Sequence, residues 1–279
     1  MEKIKLEQKL GSAHRSLLSI TSIVASTAIA SSPVLAATLA NSEAQFQLNN
    51  LSHKPQTTST FADTNGFTTA APPGGDVRNS ARSLAFFPPQ TPSALSSSFS
   101  LSFGEGRNYS GEVQSEAQVL GTFAIEAGET FSFDFASSLD LETSIQDPQT
   151  EGATAAGDIS LLLLDNATVL DDFLVLGNLS TPGDTNDFLL SDISDNITLT
   201  DNSQTTSFGG NEEFATISVR GSFERSFNRP TNLTLIQGQM NSASVADPPV
   251  SVPEASFGLA LLVLSAVSTL RRILRSNSK

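Results

Sequence analysis

Phe131-Ser132-Phe133-Asp134-Phe135-Ala136-Ser137-Ser138-Leu139-Asp140-Leu141-Glu142-Thr143-Ser144-Ile145 sets an apolar or small residue at every odd position, while Asp134, Asp140 and Glu142 fall on even ones. A period of two sustained over this length is extended backbone with one buried face. Just upstream, Val119, Phe123 and Ile125 alternate in the same way before Ala127-Gly128-Glu129. The two stretches read as a hairpin turning at Gly128. Ile217, Val219, Gly221 and Phe223 alternate with polar neighbours, Leu233 and Leu235 begin a last strand running towards Val245, and Leu161–Leu164 and Phe173–Leu176 are short apolar runs bounded by Asp and Asn. Phe99–Phe103 and Ile197–Leu199 are further strand candidates. Short strands separated by Gly, Asn and Asp turns predict an all-β fold, an antiparallel β-sandwich of which a jelly roll is one form. No helical stripe competes outside the two chain ends, which predict an N-terminal signal helix and a short C-terminal hydrophobic helix.

Composition agrees with strands and turns. The chain of 279 residues has 18 Phe, no Trp, one Tyr (Tyr109) and no Cys, so a hydrophobic core and not a disulfide framework must hold it. Net charge is −14, but the basic residues crowd the ends. Residues 37–252 hold 26 acidic and 7 basic groups, a balance of about −19, and from Asn108 to Val219 there are 20 Asp and Glu with no Lys or Arg. Such a surface repels phosphate backbones, which argues against nucleic acid as a partner.

Four regions follow: a signal peptide over 1–36, a polar, partly disordered leader over 37–95, an acidic β-sandwich domain over 96–250, and a sorting or anchor segment over 251–279. Met1–Ala36 has a basic start, an apolar stretch from Leu17 to Ala30, and Val34 and Ala36 as the small residues that signal peptidase accepts, with cleavage expected after Ala36. In the leader, Pro72-Pro73-Gly74-Gly75 and Pro88-Pro89-Gln90-Thr91-Pro92 mark breaks, and only Phe46–Leu51 reads as a strand. The C-terminus runs Val252-Pro253-Glu254-Ala255-Ser256, an uncharged Phe257–Leu270, then Arg271-Arg272-Ile273-Leu274-Arg275. That apolar stretch is marginal for a bilayer span, and its arginines place the C-terminus on the cytoplasmic side with the domain outside.

This tail resembles that of bacterial PEP-CTERM proteins. Pro253 and Glu254 match the sorting motif and Arg271 and Arg272 the basic end, with Ala255 where the family has Pro. The resemblance implies processing by an exosortase, an integral-membrane protease-transpeptidase, in bacteria that make extracellular polysaccharide. The middle of the chain is similar to a group of exported, mostly cyanobacterial PEP-CTERM proteins, through Ala127–Phe135, Thr143–Glu151, Gly157–Ser160, Phe208–Asn211 and Gly221–Arg225. That likeness implies location and not chemistry.

Catalytic patterns are sparse. Outside the signal segment His53 is the one histidine, set in the polar leader beside Lys54, no Gly-x-Ser-x-Gly occurs, and Gly104-Glu105-Gly106 lacks the context of a dinucleotide loop. Zinc sites want His or Cys clusters, which are missing. Glycoside hydrolysis needs two carboxylates about 5 to 9 Å apart, and so many acids meet that spacing by chance. Sugar sites also stack rings on Trp or Tyr, of which the chain offers only Tyr109. Ca²⁺ is the best chemical hypothesis for a cofactor, because hard cations take several oxygen ligands. Asp184, Asn186 and Asp187, then Asp192 and Asp195, are the candidate ligands, although neither stretch fits a twelve-residue cation loop. The leading expectation is a non-enzymatic envelope or extracellular-matrix protein with an exosortase-type enzyme, signal peptidase and extracellular polysaccharide as partners. The alternative is a Ca²⁺-dependent surface binding or adhesion module.

Overall fold

The computed structural model describes residues 37–71, 74–166 and 168–247, all of them strand or connection. The expected signal segment with Ala36, and the tail with Pro253, Glu254, Arg271 and Arg272, lie outside the described residues. Twelve strands follow in order: β1 (Ala37–Asn49), β2 (Thr57–Ala70), β3 (Asp76–Phe86), β4 (Ala94–Glu105), β5 (Tyr109–Ile125), β6 (Thr130–Ser144), β7 (Gly152–Asp165), β8 (Thr168–Thr181), β9 (Phe188–Ile193), β10 (Ile197–Ser207), β11 (Glu212–Ser226) and β12 (Thr231–Asp247). They form two six-stranded sheets, β10-β11-β6-β1-β4-β3 and β2-β5-β12-β7-β8-β9. Every pairing is antiparallel. Burial alternates along β6 and β5 as their sequences require, so each sheet turns one apolar face to the other.

The hairpin expected at Gly128 is instead a crossing between sheets. β5 pairs with β2 and β12, β6 with β1 and β11, so the two strands lie in opposite sheets, β5 across from β3 and β4 and β6 across from β7 and β8. Alternation reports which face is buried, and that face is the same whether two strands lie side by side or opposite. Here Phe123 of β5 and Phe131 of β6 meet with ring centroids 4.8 Å apart. Gly128 adopts φ 90°, a left-handed conformation that glycine takes without penalty. Its N–H donates to the Phe227 carbonyl at 2.7 Å, and the Phe227 N–H returns to Glu129 at 2.9 Å, so the crossing is tied to the β11–β12 connection.

The expected loose leader is also corrected: residues 37–95 contribute β1, β2, β3 and the start of β4. β1 sits inside the first sheet between β6 and β4, with Thr38, Ala40, Ser42, Ala44, Phe46 and Leu48 facing inward. Most of these side chains are small or hydroxylated, so the strand period is present without the hydropathy that reveals it. β4 carries the disguise further. Its inward positions include Ser96, Ser98, Ser100 and Ser102, while Phe99, Leu101 and Phe103 face outward.

The interior therefore has two halves. Near Gly128 it is aromatic, with Phe46, Phe123, Phe131, Phe133, Phe135, Phe173 and Phe223 all buried. Beyond them the sheets are joined by a polar seam. Ser100 and Ser115 share a hydrogen bond of 2.9 Å, Asn241 Nδ2 donates to the Ser98 carbonyl at 2.7 Å, Gln239 Nε2 to Ala44 at 3.1 Å, and Ser42 Oγ to Ala156 at 2.8 Å. These bonds satisfy polar groups that would be costly to bury alone. They also require the sheets to approach closely. A Cβ on Gly157 would stand 2.5 Å from both Asn241 Oδ1 and Leu139 Cδ1, whereas one on Gly238, on the outer face, would meet nothing nearer than Ser160 Oγ at 3.5 Å. Gly157→Ala is expected to destabilise the fold by about 1–3 kcal/mol through overpacking, with Gly238→Ala within about 0.5 kcal/mol of the parent. Urea denaturation midpoints of the two variants check this, and equal midpoints would refute the close approach at Gly157.

Candidate functional site

A hollow of about 510 Å³ opens at the Gly128 end of the sandwich, where the β5–β6 crossing and the β11–β12 connection meet β7 and β8. Asp165, Leu170, Arg225, Phe227, Arg229 and Thr231 line it. Arg225 Nη1 donates to Asp171 Oδ2 at 2.8 Å, and its guanidinium lies 5.9 Å from the centre of the Phe227 ring. Asp171 is nearly sealed from solvent at 3 % side-chain exposure, and its Oδ1 accepts from Asn196 Nδ2 at 2.7 Å and Ser194 Oγ at 3.2 Å. Such a buried carboxylate is stable only because donors and a cation surround it, here Asn196, Ser194 and the Arg225 guanidinium. Arg229 Nη2 pairs with Asp165 Oδ2 at 2.8 Å nearer the rim.

Two of the seven basic residues of the region 37–252 thus converge on one hollow, each held at one end by a carboxylate. Guanidinium groups fixed in this way keep further N–H donors for an acidic or hydroxyl-rich ligand. The lining carboxylate Asp165 is committed to Arg229, and the lining hydroxyls are bonded locally, Ser226 with Thr130 at 2.8 Å and Thr231 to the Arg229 carbonyl at 3.1 Å. Arg225, Arg229 and Asp171 were missed in the sequence. Their signal was scarcity, since Arg220, Arg225 and Arg229 end a run of 112 residues with no basic group, Asn108 to Val219.

The acidic candidates are placed apart. Asp184, Asn186 and Asp187 lie on the β8–β9 connection, while Asp195 lies on the β9–β10 turn with Asp192 near the end of β9. Asp192 stands five positions along the chain from Asp187, about 17 Å of extended strand. Each stretch is tied locally. Asp187 Oδ1 accepts from the Ser180 N–H at 2.8 Å, the Asn186 carbonyl accepts from Asn178 Nδ2 at 2.9 Å, and Asp192 Oδ1 accepts from the Ile193 N–H at 3.0 Å. Among the described residues no three His, Asp or Glu side chains gather closely enough to share an ion. Near Asp187 lies Glu213, 1 % exposed, whose Oε1 accepts from the Gly209 N–H at 2.8 Å and whose Oε2 accepts from the Thr143 and Thr181 hydroxyls. Burial, with the Glu213 and Asp184 charges adding to it, pushes the Asp187 carboxyl up to about 6.

His53 stands in a chain of contacts that has the members of a Ser–His–acid relay but not its geometry. Ser52 Oγ meets His53 Nδ1 at 2.9 Å and His53 Nε2 meets Glu129 Oε2 at 3.2 Å. The serine hydroxyl also accepts the Ser132 N–H at 2.9 Å, and the imidazole lies against Phe131. These bonds fasten the β1–β2 connection to the Gly128 crossing. The Glu129 carboxyl is held below its usual range, first by the Glu126 N–H and then by His53.

The chain matches no protein-family model, no curated protein and no solved structure.

A second displaced carboxyl lies on the outer face of the second sheet. Asp158 on β7 and Glu116 on β5 flank Met240 of β12 in one cross-strand row. Burial pushes Asp158 up to about 7, with the Glu116 charge adding to the effect. Asp158 and Asp187 hold a proton more tightly in the folded chain than in the unfolded one, where such carboxyls titrate near 3.8. Between that value and neutrality these two carboxyls bind more protons in the folded chain, so their contribution to stability falls as pH rises through this window. We expect a melting temperature at least about 3 °C higher at pH 5 than at pH 8. Asp158→Asn should raise the pH 8 value and flatten the dependence, and an unchanged slope in that variant would assign the effect elsewhere.

Proposed function

We propose that the chain is an exported, non-enzymatic envelope or extracellular-matrix protein, delivered by signal-peptide cleavage after Ala36 and sorted through its PEP-CTERM-like tail. The observation that supports this reading most directly is the placement of β1 (Ala37–Asn49) and β12 (Thr231–Asp247), the first and last strands among the described residues, with their outer ends at one end of the sandwich. Both ends emerge together, because Ala37 pairs with Glu105 and Asp247 with Tyr109 on either side of the β4–β5 turn. The Thr38 and Tyr109 hydroxyls bond at 2.5 Å there. The Arg225–Arg229 hollow lies at the other end of the strands. A body retained by its tail would turn that hollow away from the membrane, towards surrounding extracellular polysaccharide.

Residues 37–247 form a body that meets water with an acidic exterior, which suits a protein kept soluble in a crowded polyanionic matrix by self-repulsion. The Ca²⁺-dependent adhesion reading has less support, because Asp184, Asn186 and Asp187 do not converge with Asp192 and Asp195. Titration with Ca²⁺ in a calorimeter, heat evolved with a rise in melting temperature, is the result that would restore it.

Mass spectrometry of the protein recovered from its producing cells is expected to give an N-terminal peptide starting at Ala37 and a C-terminal end near Glu254. Recovery of Met1–Ala36 on the mature protein would overturn the export reading. Saturable turnover of a polysaccharide or ester by the same material would overturn the non-enzymatic one.

A further inference from the structure

We infer that the sandwich associates head to tail with further copies of itself, the β3 edge of one molecule adding to the β10 edge of the next. This inference rests on the fold alone and not on the route of export.

Both sheets are open. β3 and β10 border the first, β2 and β9 the second, and among the described residues each has a strand partner on one side only. β2 and β10 are exposed on both faces over most of their length. Natural edges are blunted by Lys, Pro, short length or covering loops. β10 runs Ile197–Ser207 with neither Lys, Arg nor Pro, and carries one register shift between Leu199 and Asp201. Large apolar side chains left in solvent collect at the same edges. Phe61 and Phe67 belong to β2, Leu84 and Phe86 to β3, Leu190 to β9, Phe208 follows β10, and Phe214 pairs opposite Ser207 of β10. Phe86 and Leu190 are each 58 % exposed. Exposed apolar groups confined to unpaired edges mark a contact surface better than scattered ones.

The topology selects the geometry of contact. Each sheet has an even number of strands, all antiparallel, so its two edges run in opposite directions. A copy moved sideways without rotation therefore brings β3 against β10 as an antiparallel pair, and β2 against β9 likewise. β3 and β10 are also equal in length, 11 residues each. Charge favours this over a two-fold pairing of like edges. Residues 182–211, around β9 and β10, carry five Asp and no basic residue, while the outer face of β3 carries Arg78, paired with Asp76 at 2.6 Å, and Arg82 in excess. Pairing β3 with a second β3 would set arginines against each other, and pairing β10 with β10 would concentrate acids. A heterologous contact that does not close on itself continues into a filament.

Light scattering of the full-length chain in mild detergent across a concentration series tests the inference. The expected mass rises without a plateau and falls back in high salt. Arg82→Glu should weaken association about tenfold without lowering the melting temperature. Mixed with the parent chain, that variant should shorten assemblies, since its β10 edge still accepts a neighbour while its β3 edge adds none. The chain has no cysteine, which permits a second measurement independent of charge. Oxidised Ser80→Cys with Ser203→Cys in one chain, both on the outer face of the sheet, should give a ladder of covalent oligomers, and either substitution alone should stop at dimers. A monomer at all concentrations, a plateau at twice the monomer mass, or the same products from single and double cysteine variants would each overturn the inference.

Discussion

Contact between aromatic rings of opposite sheets is the interaction on which the rest of this molecule depends. Phe123 against Phe131, and Phe173 against both Phe46 and Phe135, join the two sheets with centroids 4.8 to 6.2 Å apart. Within the first sheet, Phe133 and Phe223 stack at 5.1 Å and Phe46 and Phe135 at 5.8 Å. Buried rings of this kind supply large apolar area together with preferred geometry. In a chain without cysteine the rings must hold the sheets without any covalent staple. The hollow with Arg225 and Arg229 sits beside this aromatic half, so its cations project from a rim backed by packed rings.

Polarity is organised in layers around that cluster. The far half of the interior is held by serine, asparagine and glutamine bonds between close-set sheets, where shape and donor geometry matter more than apolar area. The exterior is acidic, and in places the carboxylates stand close enough to displace one another. Asp158 beside Glu116 is one example, and Asp140 beside Glu43, where burial raises the Asp140 carboxyl and Glu43 adds to it, is another. The few arginines are therefore conspicuous by position, on the β3 edge and around the hollow.

The all-β class and most strand positions in the second half of the chain were legible, because Phe, Leu, Ile and Val there occupy alternate positions facing the core. What escaped reading did so for identifiable reasons. β1 and β4 bury Thr38, Ser42 and Ser96–Ser102 at alternate positions, and hydropathy cannot flag an inward face made of serine. The Gly128 connection was visible as a turn but not as a crossing, since periodicity carries no information on which strand becomes the hydrogen-bonded neighbour. Acidic loops drew attention by their density, yet β9 holds them apart. Asp171, the carboxylate that organises Arg225, was hidden in Asp171-Asp172, read only as the boundary of an apolar run.

The strand order also governs how this chain must come to be folded. β1, the first strand, and β12, the last, both occupy the interior of their sheets. β1 pairs with residues as distant as Ser144, and β12 closes onto β5 and β7. No early portion of the chain can complete a sheet by itself, and the second sheet stays split until β12 arrives. A polypeptide wired this way cannot close either sheet until strands from nearly the whole described length are available. Long-range pairing of this order makes assembly slow. Trimming even one terminal strand removes the middle of a sheet.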